Sequence, residues 1–171
     1  WIKFTTLYHL IFVVKIKIIM KVSIIGNGLT GLTLATTLVN LDIRVDILSD
    51  QKTKKNNKFQ TLGISKSNID FFNENILDIK KFLWNINKIE ILSENLRNKK
   101  ILNFSNKGNT LFSIIRNFDL YNHLFLNLKK NKLVKFKKKI RYDTLIKEDY
   151  KLIFNCDYDN LISKKFFHKR I

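Results

Sequence analysis

The chain has 171 residues, of which 45% are hydrophobic, so it is long enough for one globular domain and its composition excludes a disordered chain. A formal net charge of +18 is typical of proteins that bind nucleic acid or anionic membranes. Here Lys (27), Ile (24), Asn (20) and Phe (14) supply about half of the residues and Pro is absent, so A/T-rich codon usage explains much of the lysine excess without any partner.

Residues 1–19 differ from the rest of the chain. The sequence opens on Trp1, and its only methionine, Met20, stands where the first clear structural element begins. The apolar run Leu7–Val14 is too short to span a bilayer and lacks the small-residue cleavage site of a signal peptide. We therefore interpret residues 1–19 as an upstream or non-native extension and expect the domain to begin at Met20.

The stretch from Met20 to Ala35 carries the most specific pattern of the chain. Val22–Ile25 is an apolar, β-branched run, which predicts a buried parallel strand. Apolar residues at helical spacing over Leu29–Val39 and a second apolar run, Ile43–Leu48, complete a β-α-β unit. Three glycines with the spacing G-x-G-x-x-G follow the first strand: Gly26, Gly28 and Gly31. This arrangement predicts a dinucleotide-binding site.

Each glycine has a physical role in such a site. Gly26 permits the tight turn after the strand, Gly28 lets the backbone approach a pyrophosphate, and Gly31 allows close packing of helix and strand. The unpaired N–H groups and the partial positive charge of the helix N-terminus then attract the phosphates. The cofactor-binding residues predicted in this turn are Gly26, Asn27, Gly28, Leu29, Thr30 and Gly31.

The ribose contact has two candidates in this sequence. In dinucleotide sites an acidic residue about 20 residues beyond the glycines binds the ribose hydroxyls. That position falls on Ser49 here, and Asp50 follows it. Asp50 reaches the ribose only if the turn is shifted by one residue, so both residues are kept as candidates.

The middle of the chain is predicted to contain further strands and two helices. A short strand at Phe59–Ile64 leads to Ser65, the expected N-cap of a helix over Lys66–Asn75. Asn117 is expected to cap an amphipathic helix whose apolar face consists of Leu120, Leu124 and Leu128. Three more strands are predicted between the helices: Lys88–Leu92, Lys100–Phe104 and Leu111–Ile115.

Lysines are densest in the predicted strand Leu133–Ile140, where they alternate with apolar residues as on a strand with one solvated face: Lys135, Lys137, Lys138 and Lys139. No stacking platform or helix-turn-helix accompanies them, so a nucleic-acid patch is not favoured.

The last strand, Lys151–Cys156, ends at Asp157. Cys156, the only cysteine, excludes an internal disulfide and is interpreted as a small buried residue rather than a nucleophile. The three histidines are scattered, so no metal site is predicted.

With these pieces in order, the chain resembles the N-terminal part of class A flavoprotein monooxygenases, and among them the ubiquinone-biosynthesis hydroxylases. The resemblance spans most of residues 20–165. Of the four stretches that carry it, only the first is specific by itself. Four stretches carry it: the β-α-β unit Val22–Leu48; Gln60–Phe72, similar to the family's R-x-x-A-L-S-x-x-S; Leu111–Leu124, a strand entering a helix; and Leu152–Asp157, similar to the strand before the family's Asp-Gly motif.

The resemblance implies an α/β fold, a Rossmann-like FAD-binding β-α-β domain with a parallel sheet, of which residues 20–171 are an incomplete N-terminal part. Ser49 stands at the position of the family's ribose acid, and Gln60 stands at that of an FAD-contacting arginine. Asp157 matches the aspartate of the Asp-Gly motif, whose glycine is replaced by Tyr158. No residue matches a catalytic acid or base, so none is predicted.

The function implied is that of an FAD-dependent aromatic-ring hydroxylase of ubiquinone biosynthesis, inactive as this fragment. Its expected cofactor is FAD with NAD(P)H as electron donor, and its substrates would be O₂ and a polyprenyl-phenol. The expected location is cytoplasmic, peripheral to the inner membrane or within a multi-enzyme complex, with no specific nucleic-acid partner. Two alternatives stay open, an NAD(P)-dependent dehydrogenase and a basic nucleic-acid-binding protein without enzymatic activity.

Overall fold

A computed structural model describes residues 20–49, 60–94, 99–105, 110–138, 148–157 and 163. The chain divides into two compact units, Trp1–Lys55 with Tyr121–Ile171, and Asn56–Leu120. No helix in these described stretches is long and apolar enough to cross a bilayer. The predicted extension, residues 1–19, lies outside them, and the interpretation of residues 20–171 as one truncated domain stays a prediction.

The first unit is built on a four-stranded parallel sheet. Its strands are β1 (Lys21–Ile25), β2 (Arg44–Ser49), β8 (Val134–Lys138) and β9 (Leu152–Asn155). Their order in the sheet is β8-β2-β1-β9. The two central strands are buried from Val22 to Ile25 and from Val45 to Leu48, as expected for apolar runs inside a parallel sheet. All four carboxyl ends lie along one edge, where ligands bind in open α/β sheets.

Helix α1 (Leu29–Asn40) joins β1 to β2 and covers one face of this sheet. Its buried residues recur at helical spacing: Gly31, Leu32, Ala35, Thr36 and Val39. A Cβ added at Gly31 would lie 3.4 Å from Cγ2 of Ile24, so helix and strand are in close contact. In the register Ile24 pairs with Ile47, and Ile47 pairs with Phe136, so these three side chains share the face that α1 covers.

Helix α3 (Asn117–Lys130) contacts the same face beside β8, through its second half. The ring of Phe125 packs against that of Phe136, with centroids 5.1 Å apart. Leu124 and Leu128 are fully buried, which confirms the apolar face predicted for this helix. The helix begins at Asn117 itself, where the sequence predicted a cap.

The second unit contains a three-stranded antiparallel sheet of order β3-β7-β4 and a separate hairpin. The sheet strands are β3 (Thr61–Ile64), β4 (Trp84–Ile86) and β7 (Phe112–Arg116). Helix α2 (Lys66–Asn75) follows β3, and Oγ of its N-cap, Ser65, accepts a hydrogen bond from the amide N of Asn68 at 3.3 Å. This cap and this helix were predicted from the sequence.

The hairpin pairs β5 (Lys88–Ser93) with β6 (Lys99–Ser105) and has one apolar face. Four side chains lie on that face because they form two direct cross-strand pairs at alternate positions: Ile89 with Phe104, and Ile91 with Leu102. Three of the four are 43–49% exposed: Ile91, Leu102 and Phe104. On the opposite face Lys88 and Lys100 form ion pairs with Glu90.

Most predicted strands and helices are present, with small differences at their ends, and the predicted α/β fold with a parallel sheet is confirmed. Strand β4 and the 3-10 turn Lys80–Phe82 were not predicted. Strand β4 has only three residues, and its extended form depends on pairing with β7, from Trp84 with Ile114 to Ile86 with Phe112. A local apolar pattern does not report a strand that exists through such long-range pairing.

Candidate functional site at the glycine turn

Gly26 turns the chain from β1 into α1. Its φ of +104° lies in a region that side chains rarely tolerate, and its amide N donates a hydrogen bond to the carbonyl O of Leu48 at 2.8 Å. This bond fixes the turn against the carboxyl end of β2. Gly28 is the N-cap of α1, and its carbonyl O accepts the first helical hydrogen bond, from the amide N of Leu32, at 2.9 Å.

The N-terminus of α1 is accessible. No side chain in the described part of the chain caps it, and the N–H groups of Leu29, Thr30 and Gly31 have no acceptor within the helix. A Cβ added at Gly28 would meet nothing within 4 Å, so the space beside the cap is open. Free N–H groups, the positive end of the helix dipole and open space together suit an anionic group such as a pyrophosphate.

The other two glycines of the turn are required by packing. A Cβ at Gly31 would collide with the carbonyl O of Gly26. A Cβ at Gly26 would lie 2.9 Å from Cβ of Asp157, besides demanding an unfavourable φ. The turn therefore has two glycines in close contact with their surroundings, Gly26 and Gly31, and one that faces open space, Gly28. Asn27, between Gly26 and Gly28, is half-buried.

Asp157 is held beside this turn by the end of β9. The amide N of Cys156 donates to the carbonyl O of Ile25 at 2.8 Å, which extends the pairing of β9 with β1. The amide N of Asp157 donates to Oδ1 of Asn155 at 3.2 Å, and Oγ of Ser163 donates to the carbonyl O of Asp157 at 2.9 Å. Burial raises the pKa of the half-buried Cys156 thiol, so the thiol is protonated at neutral pH and is a poor nucleophile.

The remaining predicted site residues lie in different parts of the chain. Ser49 is the last residue of β2 and belongs to the same edge of the sheet as the glycine turn. Asp50 lies outside the described residues. Gln60 belongs to the second unit, where its carbonyl O accepts a hydrogen bond from the amide N of Asn117 at 2.9 Å and its Oε1 accepts one from Asn117 Nδ2 at 3.4 Å. The first unit thus brings together the turn, Ser49 and Asp157.

A cluster of charged residues lies on the sheet face opposite α1. Asp46 of β2 is 3% exposed, and its Oδ2 lies 3.2 Å from Nζ of Lys21 and 3.0 Å from Nζ of Lys137. Oη of Tyr150 donates to the same oxygen at 2.8 Å. Oε2 of Glu148 accepts hydrogen bonds from both lysines, at 3.0 and 2.6 Å. These five residues, called the charge cluster below, contain two cations and two carboxylates.

The charge cluster connects β1, β2, β8 and the segment before β9, so its role is structural. Burial alone would raise the pKa of Asp46, but hydrogen bonds from Tyr150 and the two lysines lower it overall. The hydrogen bond from Lys137 lowers the pKa of Glu148 to about 2. Lys137 was predicted to lie on a solvated face, and its side chain is only partly solvated, at 33% exposure, because its ammonium group lies beside the buried carboxylate of Asp46. The sequence feature that could have indicated this cluster is Asp46, an aspartate inside the otherwise apolar run of β2.

No protein-family model matches the chain, and no curated protein matches its sequence. Solved structures match its fold. The chain is similar to p-nitrophenol 4-monooxygenase PnpA from Pseudomonas putida DLL-E4, with 16% identity, a TM-score of 0.56, and coverage of 70% of this chain and 32% of that one. It is also similar to Klebsiella pneumoniae HpxO, solved with FAD and uric acid, with 17% identity, a TM-score of 0.54, and coverage of 68% and 30%.

A third similar structure is the tetrameric form of 2-methyl-3-hydroxypyridine-5-carboxylic acid oxygenase, with 16% identity, a TM-score of 0.55, and coverage of 70% of this chain and 31% of that one. At such identities the likeness shows the fold. The chain therefore shares its fold with class A FAD-dependent monooxygenases, as the resemblance in sequence predicted. It spans about a third of the length of these proteins.

Proposed function

We propose that this chain forms the FAD-binding part of an FAD-dependent aromatic-ring hydroxylase. The observation that carries the proposal is the glycine turn, where an uncapped helix N-terminus meets open space at Gly28. A pyrophosphate needs both features, N–H donors and an approach that no Cβ obstructs. The turn lies in a fold shared with HpxO, whose structure contains FAD. The residues present at this edge of the sheet fit such a cofactor.

Within the proposed site, different residues serve different parts of the dinucleotide. The N–H groups at the start of α1 would bind the pyrophosphate, and the hydroxyl of Ser49 is the candidate for the ribose. Asp157, beside Gly26, is a further candidate contact. Gln60 is kept as a candidate from the sequence resemblance alone. Bound FAD would supply redox chemistry with O₂ toward an electron-rich aromatic ring, while the protein positions the cofactor and excludes water.

The finer proposal is a monooxygenase of ubiquinone biosynthesis that acts on a polyprenyl-phenol, with NAD(P)H as electron donor. It is supported by the four stretches of sequence resemblance described above. An apolar substrate of this kind favours a cytoplasmic enzyme that associates with the inner membrane or with a multi-enzyme complex. Because the chain spans about a third of its structural neighbours, we propose that it is inactive by itself.

Titration of the 171-residue chain with FAD, followed by flavin fluorescence, tests the proposed cofactor. The site described here would hold the ADP half of FAD, so we expect saturable binding of FAD and none of FMN, which lacks the adenosine. Far-UV circular dichroism on the same samples verifies that the chain is folded. A folded chain that binds no FAD, or binds FMN equally well, would contradict the proposal.

A further inference from the structure

The carboxyl end of β2 carries no available carboxylate among the described residues. Its last residue is Ser49, and the one aspartate of the strand, Asp46, is buried in the charge cluster on the opposite face. The hydrogen bond from Gly26 N to Leu48 O places the glycine turn next to Ser49. In dinucleotide sites this is the position from which an acidic side chain binds the ribose hydroxyls. Here a neutral hydroxyl stands in its place.

Lys138 stands beside Ser49. The two are the last residues of adjacent parallel strands and are partners in the register, so their side chains share one face of the sheet. Two residues earlier in each strand, Ile47 and Phe136 lie on the face that the helices cover, so Ser49 and Lys138 lie on the same side as the N-terminus of α1. This is the side on which a bound phosphate would be placed.

The charge of Lys138 is not compensated within the described part of the chain. Its side chain is exposed and forms no hydrogen bond or ion pair with another described residue. The neighbouring Lys137 differs, because it lies on the opposite face and its Nζ contacts Asp46 at 3.0 Å and Glu148 at 2.6 Å. Among the described residues at the carboxyl ends of β2 and β8, Lys138 therefore carries the positive charge without a partner.

A free ribose 2′-hydroxyl and a 2′-phosphate need opposite electrostatic surroundings. A carboxylate accepts a hydrogen bond from the hydroxyl but repels the phosphate, whereas a neutral hydroxyl beside a cation attracts the phosphate. We propose that the adenosine end of this site accepts a ribose with a 2′-phosphate, held by Oγ of Ser49 and Nζ of Lys138. The site would then bind dinucleotides of the NADP class as well as unphosphorylated ones such as FAD. This inference rests on the proposed dinucleotide site and not on the hydroxylase reaction.

Calorimetric titration of the full chain with three small nucleotides tests the inference. The probes are 5′-ADP, 2′,5′-ADP and 3′,5′-ADP, of which the last two carry the same charge. We expect 2′,5′-ADP to bind about five- to tenfold more tightly than either of the others, the size of one partly screened charge-assisted hydrogen bond. The 3′-isomer matters because a chain with a net charge of +18 attracts any additional phosphate.

Two variants locate the preference. Lys138→Gln should abolish the preference for 2′,5′-ADP, whereas Lys135→Gln should keep it. Lys135 is an exposed lysine of the same strand, three residues earlier, so this control removes the same charge away from the site. Ser49→Asp should reverse the order and make 5′-ADP the tighter ligand, because the new carboxylate would repel the 2′-phosphate.

The outcomes separate this inference from the proposed function. Equal affinity for the 2′- and 3′-isomers would show that net charge alone acts, and tighter binding of 5′-ADP would show that a carboxylate, such as that of Asp50, serves the ribose. Either result would overturn the inference while leaving the FAD site intact. If FAD and all three nucleotides fail to bind the folded chain, both proposals are wrong.

Discussion

At the scale of single residues, the glycine turn separates folding from binding. Gly26 and Gly31 contact their surroundings so closely that a side chain at either would disturb the backbone, whereas Gly28 faces open space. A substitution at Gly28 should therefore affect what approaches the turn from outside and leave the turn itself unchanged. A substitution at Gly31 should do the reverse, since its Cβ would meet the carbonyl O of Gly26.

This contrast gives a test with a built-in comparison. Gly28→Val should lower FAD affinity by more than about tenfold, because its side chain occupies the path of the pyrophosphate, with the melting temperature little changed. Gly31→Ala should lower the free energy of unfolding by about 1–3 kcal/mol through overpacking. Fluorescence titration and urea unfolding of both variants provide the measurements. A Gly28→Val chain that binds FAD like the wild type would refute the role assigned to Gly28.

The glycines were predictable from the sequence and the surroundings of the ribose position were not. A glycine is required where the backbone itself takes an unusual φ or approaches another group, and the G-x-G-x-x-G spacing records that local requirement. The neighbour of Ser49, by contrast, is set by the pairing of β2 with β8, whose residues are separated by almost ninety positions in the sequence. No local pattern identifies Lys138 as that neighbour.

At the scale of elements, β8 shows how one lysine-rich strand divides its charges between two faces. Lys137 belongs to the charge cluster and Lys135 is exposed on the same face, while Lys138 is exposed on the other face. Lys137→Gln removes one of the two cations from Asp46, which stays buried, and should lower the free energy of unfolding by about 1–2 kcal/mol. The matched variant Lys135→Gln should have almost no effect. Urea unfolding at neutral pH measures both, and equal stabilities would contradict the structural role of the cluster.

The charge cluster also predicts how stability responds to acid. Glu148 has its pKa lowered to about 2 from 4.5, and the pKa of Asp46 is lowered as well, so both groups bind fewer protons in the folded than in the unfolded chain. Their stabilising effect is complete above about pH 4.5 and is lost as the pH falls toward 2. Urea unfolding over this pH range should show that the free energy of unfolding declines with falling pH, and that this decline is shallower in the Lys137→Gln variant. An unchanged slope in the variant would argue against the cluster as its origin.

The elements themselves were largely predictable, but their arrangement was not. Apolar runs and helical spacing identified β1, α1, β2 and the capped helix α2 because each pattern is complete within the segment that forms it. The order β8-β2-β1-β9 depends on which strands pair over long distances along the chain. The aspartate inside β2 acquires its cations through the same pairing, so the charge cluster emerges only from the assembled sheet.

At the scale of the whole molecule, the net charge of +18 has two possible origins, codon usage or a specific nucleic-acid function. If the lysine excess reflects codon usage, DNA binding should be weak, independent of sequence and steeply reduced by salt. Replacement of three exposed lysines by Gln, at Lys129, Lys130 and Lys135, should weaken DNA binding and reduce its salt dependence while FAD affinity stays constant. Filter binding measures the affinity for DNA, and flavin fluorescence measures the affinity for FAD. Sequence-selective, salt-resistant DNA binding together with no affinity for FAD would favour the basic binding protein.

The exposed apolar face of the β5–β6 hairpin limits how this chain can be produced. An isolated two-stranded ribbon is only marginally stable in water, and large apolar side chains on its surface promote aggregation. Overexpression is therefore expected to drive the chain into inclusion bodies or onto chaperones, and a solubilising fusion partner would raise the yield. Light scattering of the purified sample, measured before any titration, shows whether the chain is monodisperse at the working concentration.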